Sequence, residues 1–252
     1  MERERFGVRS FQGPRSARGI AQPIYSDTGY GDRDPATHIH GKYLPFPDPT
    51  RTHVFFDDFD RYVAGDWTIT TTEAGAGDAT EALGDADGGV LVITNDAADN
   101  DLDFLQKKGE SFKYVAGKPM GFAARFKILE VIQCDFVIGL QITDTTMLDV
   151  TDGIFFQTDD GDASLDFHVE KNNTATDATA IATLVADTFV TVEWVYDGES
   201  AIHYAVNGTI LGSSVITNVP DDEELTVSFG LQNGEAVANI LSLDYIMAWK
   251  VR

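Results

Sequence analysis

The sequence is short of cysteine, of long apolar runs and, beyond its first fifty residues, of proline and basic residues. Its single cysteine, Cys134, cannot close a disulfide within the chain, and we interpret it as a small buried hydrophobe. No stretch approaches the roughly 18 apolar residues of a membrane helix. The N-terminus, Met-Glu-Arg-Glu-Arg-Phe, lacks the apolar segment of a secretory signal peptide. We therefore expect a protein made in a cytoplasm, with no membrane partner.

Acidic residues dominate the composition, and they are distributed unevenly. The 252 residues carry a formal charge of −23, from 41 acidic and 18 basic side chains. Residues 1–50 hold seven basic and six acidic side chains, a balance of +1, so the remaining 202 residues carry 11 basic and 35 acidic ones, or −24. Because carboxylates repel phosphates, we expect no nucleic acid partner.

Proline marks the same division of the chain. Six of the eight prolines precede residue 50, and three of them alternate in Leu-Pro-Phe-Pro-Asp-Pro, a pattern that favours an extended path. We therefore predict an extended N-terminal anchoring arm over residues 1–50 and a β-rich body over residues 51–252. The cost of ordering such an arm has to be offset by a partner surface. The alternative is an arm that folds back on its own body.

Arginine and phenylalanine recur at the start of the arm. Guanidinium groups suit carboxylates on a protein partner, and phenylalanine rings supply apolar anchors. An extended segment can also add as a strand to a foreign sheet edge. The predicted partner-binding residues are Arg3, Arg5, Phe6, Arg9, Phe11, Arg15 and Arg18. The alternative is that these arginines only keep a tail in solution.

From Thr52 onward the pattern is one of short strands and turns. Apolar residues alternate with polar ones in several runs, and Asn207-Gly208 between two such runs predicts a hairpin. No long segment has the 3.6-residue period of a helix. The predicted strands are 53–59, 67–71, 90–94, 102–106, 121–129, 135–143, 153–158, 165–170, 180–184, 188–196, 201–206, 209–213, 225–232 and 241–251. The body is therefore predicted to be all-β, with two packed antiparallel sheets.

The segment Thr191–Gly208 carries a resemblance to a known family. It contains a strand ending in Tyr-Asp-Gly, a strand with an aromatic residue and an Asn-Gly turn. The opening Phe55–Phe59 with Trp67, and the closing Leu243–Ile246, fit the same pattern. The body resembles the concanavalin A-like lectin/glucanase (laminin-G-like) jelly rolls, which implies an antiparallel two-sheet jelly-roll sandwich. Such jelly rolls serve as lectins, glycosidases, adhesion modules and phage virion accessory proteins, so the fold does not settle the function.

Two sets of carboxylates are candidates for catalytic groups. A glycosidase needs two carboxyls about 5–9.5 Å apart, and the glucanases of the resembled family place theirs in a Glu-x-Asp-x-x-Glu run that this sequence lacks. The nearest substitute is the alternating set Asp166, His168 and Glu170, which we interpret as the solvent face of an amphipathic strand. A second acidic group flanks a turn and is interpreted as turn chemistry: Glu193, Asp197 and Glu199. We predict no catalytic residues and no enzyme.

Two groups of residues are candidates for metal ligands. Asp99, Asp101, Asp103 and Glu110 mimic an EF-hand loop, but Phe104 stands where that loop requires glycine. His38 and His40 have no third ligand nearby, so a solvated loop is the default interpretation. We predict no metal and no other cofactor, while one acidic cluster near a turn could still hold calcium.

Tryptophans are the remaining candidates for sugar contacts. Trp67 and Trp249 are candidates for sugar stacking only if they are exposed. A place in the core is expected for Trp194 and for Trp67.

Three functions follow from these observations. The first is a non-enzymatic virion structural protein, a phage capsid decoration or cement protein, whose arm binds the major capsid protein or another virion protein. It would act as a homo-oligomer on the virion. The alternative is a carbohydrate-binding or adhesion module of a phage tail or fibre, with a glycan as partner. A glycoside hydrolase is the third hypothesis, and the residues support it least.

Overall fold

The structure, a computed structural model, describes residues 50–252. The predicted partner-binding residues of the arm, and the pair His38 and His40, lie outside the described residues, and their roles stay predictions. The described chain forms fifteen strands and one 3-10 turn, Ala64–Asp66. Within residues 50–252, no helix has the length and apolar content needed to cross a membrane.

The strands are numbered in chain order and are mostly short. They are β1 (Thr52–Asp57), β2 (Trp67–Thr72), β3 (Thr80–Leu83), β4 (Leu91–Thr94), β5 (Leu102–Lys107), β6 (Met120–Ile128), β7 (Cys134–Gln141), β8 (Gly153–Thr158), β9 (Ser164–Lys171), β10 (Thr174–Thr183), β11 (Val190–Tyr196), β12 (Ala201–Val206), β13 (Thr209–Val215), β14 (Thr226–Asn233) and β15 (Ile240–Val251).

Two antiparallel sheets are built from these strands. Sheet I has eight strands in the order β13-β12-β11-β6-β15-β4-β3, with β1 also paired to β15. Sheet II has seven strands in the order β10-β9-β8-β7-β14-β5-β2. Hairpins of consecutive strands form the flanks of the sheets, whereas strands distant in sequence meet at their centres, as in β6 between β11 and β15. The predicted all-β, two-sheet sandwich is confirmed for the described residues.

The core lies between the sheets because each strand turns its apolar side inward. In β11, Val192, Trp194 and Tyr196 are buried in the main hydrophobic cluster. In β7, Phe136 and Ile138 enter the same cluster. Full burial of one large apolar side chain contributes roughly 1.5–3 kcal/mol relative to exposure. The alternation seen in the sequence therefore fixes which face of each strand points into the sandwich.

All fourteen predicted strands are present, with ends shifted by a few residues, and one strand was missed. The missed strand is β3, four residues at the edge of sheet I. The predicted strand 180–184 is the end of β10, which begins at Thr174. Its first residues, Thr-Ala-Thr-Asp-Ala-Thr, are small or polar because β10 is the edge strand of sheet II. Neither segment has the apolar alternation on which the prediction depended.

Turn predictions hold where the side chains are turn formers. Asn207 and Gly208 adopt φ values of 51° and 76° between β12 and β13, as a two-residue hairpin requires. The Asp197 carboxylate accepts hydrogen bonds from three backbone N–H groups, those of residues 199, 200 and 201. The interpretation of Glu193 as a turn residue was wrong, because it lies within β11 and is 7% exposed.

Candidate functional site

The outer face of sheet II is apolar at its centre. Phe104 of β5 lies opposite Gly230 of β14, and Phe155 of β8 lies opposite Gly139 of β7. A Cβ on Gly139 would come within 2.5 Å of the Phe155 Cα and Cβ, so glycine leaves room for the close approach of β8. Phe104 and Phe155 form a small cluster with Val137, and the chain itself covers this cluster.

The cover is the segment between β7 and β8, residues 142–152, which we call the strap. Met147 and Val150 of the strap are at most 2% exposed and complete the cluster on the sheet. Gln106 of β5 anchors the strap twice: its Nε2 donates to the Ile142 carbonyl at 2.8 Å, and its Oε1 accepts from the Asp144 N–H at 2.9 Å. The strap therefore closes the centre of the outer face and leaves strands β8 to β10 beside it.

Strand β9 presents polar side chains on this open part of the face. Leu165, Phe167 and Val169 are fully buried on its inner side, so the predicted amphipathic strand is confirmed. The outward residues are Asp166, His168 and Glu170. The Asp166 carboxylate accepts a hydrogen bond from the Ala180 N–H of β10, where the register of the two strands shifts. Asp166 therefore stabilises the edge strand.

His168 is held from two sides. Its ring stacks on Phe155 with centroids 5.1 Å apart and planes at 14°. Its Nδ1 lies 2.8 Å from Asp177 Oδ1 on the neighbouring strand β10. When the neutral imidazole carries its proton on Nδ1, it donates this bond to Asp177, and Nε2 is an acceptor. Nε2 is buried and has no hydrogen-bond partner among the described residues. The imidazole is therefore held in one orientation, and its Nε2 has no hydrogen bond.

Glu170 lies next to His168 on the same face, in a space bounded by small residues. It pairs with Gly153 on β8 and with Ala175 on β10. Partial burial, together with the nearby carboxylates of Asp177, Asp149 and Asp152, raises the pKa of Glu170. Both causes disfavour the ionised form, so Glu170 keeps its proton to a higher pH than an ordinary glutamic acid.

The turn between β9 and β10 is fixed by its own contacts. Asn172 and Asn173 adopt φ values of 51° and 59°, the left-handed pair of a two-residue hairpin. The buried Asp152 accepts a hydrogen bond from the Asn172 N–H at 3.1 Å. Lys171 forms salt bridges with Asp221 and Asp222. The Asp152 bond therefore holds the β9–β10 hairpin against the end of the strap, and the Lys171 salt bridges hold it against the segment before β14.

The EF-hand-like spacing has another structural explanation. Asp103 is a fully buried strand residue of β5, and Asp101 accepts a hydrogen bond from the Ala74 N–H at 2.6 Å. Glu110 binds the Thr143 N–H of the strap. Within residues 50–252, no group of three or more His, Cys, Asp or Glu side chains is arranged to hold a metal ion.

Asp103 nevertheless has unusual electrostatics. Burial, followed by the nearby Glu81 and Glu73 carboxylates, raises its pKa to about 8. Neither Asp103 oxygen has a hydrogen-bond partner among the described residues. Burial and the neighbouring carboxylates both disfavour the ionised form, so Asp103 keeps its proton at neutral pH.

The remaining predictions concern residues of the core. Trp67 is 3% exposed and Trp194 is fully buried, so the expected core placement is confirmed for both. Trp249 is also fully buried and offers no surface for a sugar ring. Cys134 is fully buried in the main cluster, as expected. Sequence reasoning missed Asp177 and Phe155 as partners of His168, because only the strand register brings these three residues together.

Comparisons with known proteins concern the fold. No protein-family model matches the sequence, and no curated protein matches it. Solved structures similar to the described fold include two glucan-related proteins and a lectin. A mixed-linkage glucan GH16 protein from Bacteroides ovatus, in complex with its product, has a TM-score of 0.58 at 14% identity, with 77% of this chain and 99% of that chain covered. The endo-1,3-β-glucanase of Streptomyces sioyaensis has a TM-score of 0.58 at 13% identity, covering 82% of this chain and 99% of that chain. Peanut lectin has a TM-score of 0.54 at 13% identity, covering 79% and 97%.

These likenesses correct one prediction. The chain was predicted not to be an enzyme, and the similarity to an endoglucanase contradicts the grounds for that prediction. The missing Glu-x-Asp-x-x-Glu run excludes one arrangement of carboxyls, and the fold also carries other arrangements. At these identities the comparisons establish the fold and leave the activity open. The chain has the jelly-roll fold of the concanavalin A-like lectins and glucanases.

Proposed function

We propose that the chain binds carbohydrate on the outer face of strands β8 to β10. The observation that carries this proposal is the oriented imidazole of His168, stacked on Phe155 and held by Asp177. Sugar hydroxyls need fixed donors and acceptors, and small-molecule sites supply a few such groups on a rigid wall. Glu170, beside His168, adds a carboxyl that donates when protonated and accepts when ionised.

The fold supports the same proposal. The similar structures include peanut lectin and a GH16 protein in complex with its product. The strap closes the apolar centre of the outer face, so an oligosaccharide would lie along β9 and β10. The exposed side chains there are small or polar, with 41% of the Asp177 side chain accessible against 16% for His168.

A glycan array with the full chain tests the proposal, followed by titration calorimetry with laminarin and barley mixed-linkage β-glucan. We expect saturable binding that a His168→Ala substitution weakens by about tenfold or more. Asp187→Asn serves as the matched control, because Asp187 pairs with Lys127 on sheet I. Binding that is absent for every glycan, or equal in the two variants, would contradict the proposal.

Cleavage of a glycosidic bond is a second candidate, favoured by the raised pKa of Glu170. Glu170 and Asp177 are diagonal neighbours on one face of β9 and β10, and such positions lie roughly 7–8 Å apart. That spacing falls within the range of about 6.5–9.5 Å found for inverting glycosidases. Glu170 would protonate the leaving oxygen, and Asp177 would activate water.

A reducing-sugar assay on the two glucans tests this candidate. A Glu170→Gln substitution should abolish release of reducing ends while binding persists, because the amide cannot donate an acidic proton. Unchanged hydrolysis by the variant would remove Glu170 from the role of acid. If the unmodified chain binds the glucans without hydrolysing them, only the binding function is supported.

The finer role on a phage particle is a separate proposal. Its support is the proline-rich, slightly basic segment of residues 1–50, attached to a body of charge −24. In this proposal the arm binds a major capsid or other virion protein, and the chain is a homo-oligomer on the virion. Deleting residues 1–45 should abolish binding to the particle and leave the body folded. Undiminished binding of that truncation to particles would reject the role.

A further inference from the structure

A cavity of about 360 Å³ lies between strand β1 and the segment that follows β5. Its walls include His53, Phe55, Lys107, Lys108, Ser111 and Phe112. The volume is at the lower end of the range for small-molecule sites, about 300–1,000 Å³. The cavity involves none of the residues of β8 to β10, so it is a second site, independent of the proposed carbohydrate face.

Positive charge collects around this cavity although the protein is strongly acidic. Seven of the eleven basic residues between positions 50 and 252 lie in two neighbouring places. These are the segment from the end of β5 to residue 118, and the paired ends of β1 and β15. The seven residues are Arg51, Lys107, Lys108, Lys113, Lys118, Lys250 and Arg252. Carboxylates also lie in the region: Glu110 lines the cavity and binds the strap, Glu224 pairs with Lys113 at 3.2 Å, and Asp57 and Asp66 lie near Lys107. The seven basic residues outnumber these four carboxylates in a protein of net charge −23.

The two lysines in the wall have hydrogen-bonding capacity to spare. Lys108 Nζ donates to the Gly65 carbonyl at 2.9 Å, and Lys107 Nζ to the Asp66 carbonyl at 3.3 Å. Within residues 50–252, neither ammonium forms a salt bridge with a carboxylate. Each ammonium carries three protons, so each keeps donors for a ligand.

His53 lines the cavity, and its pKa depends on the charges around it. Its Nε2 lies 3.3 Å from Ser111 Oγ, and its ring centroid lies 5.0 Å from that of Phe112. Lys250 stands opposite His53 in the β1–β15 register. Burial, followed by the charges of Arg252 and Lys250, lowers the pKa of His53. An anion in the cavity would oppose the effect of these cations.

We propose that this cavity binds a small ligand bearing an oxyanion, a carboxylate or a phosphate. The oxyanion would accept hydrogen bonds from Lys107 and Lys108, since charge-assisted bonds are the stronger kind. The apolar rings of Phe55 and Phe112 would contact the rest of the ligand. Carboxylates and phosphates share this chemistry, and a uronic acid and inorganic phosphate distinguish them as probes.

Titration of the full chain with sodium glucuronate, inorganic phosphate or neutral glucose tests the proposal, with NMR of the His53 imidazole and calorimetry as readouts. We expect at least one anion to bind and to raise the pKa of His53, and glucose to do neither. The double variant Lys107→Gln, Lys108→Gln should bind the anion about tenfold more weakly. Lys127→Gln is the matched control, because Lys127 pairs with Asp187 at the other end of β6.

The outcomes of this experiment distinguish a carboxylate ligand from a phosphate ligand and test whether the cavity binds an anion. Binding of glucuronate alone assigns a carboxylate ligand, and binding of phosphate alone assigns a phosphate ligand. Anion binding should also weaken as sodium chloride is raised, because salt screens exposed charges. The proposal is overturned if neither anion moves the His53 signals at millimolar concentration, or if the double variant and the control bind equally. The His53 signals of the unmodified chain decide the matter even if the double variant fails to fold.

Discussion

The imidazole of His168 lies flat on the ring of Phe155, with 5.1 Å between centroids and 14° between planes. The two residues occupy directly opposed positions on β9 and β8. Phe155 is 1% exposed and also belongs to the cluster beneath the strap. The pair therefore connects the strap-covered centre of the outer face to the open strands beside it. A ligand on β9 would contact the His168 ring, whose orientation is fixed by Phe155 and Asp177.

The first prediction concerns the bond between His168 and Asp177. An Asp177→Asn substitution keeps the shape of the side chain but removes the charge that orients the imidazole. We expect glucan affinity to fall by roughly 3- to 30-fold, since a hydrogen bond to a charged group is worth about 1.5–3 kcal/mol and only part of it bears on binding. Calorimetry measures the change, and thermal unfolding should show an intact fold. An affinity equal to that of Asp187→Asn would show that this bond does not shape the site.

A second prediction concerns the pH dependence of stability through Asp103. Its pKa is raised to about 8 in the folded chain, against about 3.9 in an unfolded one. Between these values the folded state binds more protons, so stability should be greatest at low pH and decline as pH rises toward 8. The melting temperature should fall by about 2–4 °C for each kcal/mol lost.

An Asp103→Asn variant provides the comparison for this slope. The amide cannot ionise, so the variant should lose the part of the pH dependence that lies between about pH 4 and 8. Thermal melts at a series of pH values measure the difference between the two proteins. Parallel curves for variant and unmodified chain would mean that Asp103 does not titrate in this range.

The third prediction concerns the strap. Met147 is 2% exposed and packs on Phe104, Phe155 and their neighbours. A Met147→Ala substitution should cost about 2–5 kcal/mol, the usual range for truncating a buried side chain. Denaturant unfolding measures the loss, and hydrogen exchange should rise in residues 142–152 more than in β7. The exposed Leu129, truncated in the same way, is the control and should cost far less.

The fourth prediction concerns the single cysteine. Burial, followed by the nearby Glu130 and Asp135 carboxylates, raises the pKa of the Cys134 thiol to about 12. The thiolate is the reactive form, so Cys134 should resist thiol reagents in the folded chain and react fully in denaturant. Labelling kinetics followed by absorbance or mass spectrometry would reveal this. Rapid labelling of the native protein at pH 8 would contradict the burial described for Cys134.

The sequence predicted the fold better than it predicted the site. Alternation in β9 and β11 fixed which residues enter the core, and Asn207-Gly208 fixed a hairpin, because both signals are local. The edge strands β3 and the first half of β10 were missed, since they bury few side chains. The family resemblance also placed two sheets over residues 52–252, which the structure confirms.

The site depends on pairings that no local signal contains. Phe155, His168 and Asp177 come from three strands, and their contact follows from register alone. The role of Gln106 as an anchor of the strap is also absent from the sequence pattern, since its partners lie 36 and 38 positions away. The prediction that the chain is not an enzyme depended on the absence of one carboxyl motif. The similarity to an endoglucanase contradicts it, because one fold can carry its functional groups in several arrangements.

The most direct test of the carbohydrate proposal is an NMR titration of the full chain with a laminari-oligosaccharide and with a mixed-linkage β-glucan oligosaccharide. The account predicts saturable shifts of the His168 imidazole and of the Gly153 and Ala175 amides, with little change at His53. The contradictory result is an absence of shifts for both sugars, or shifts confined to residues away from β8, β9 and β10.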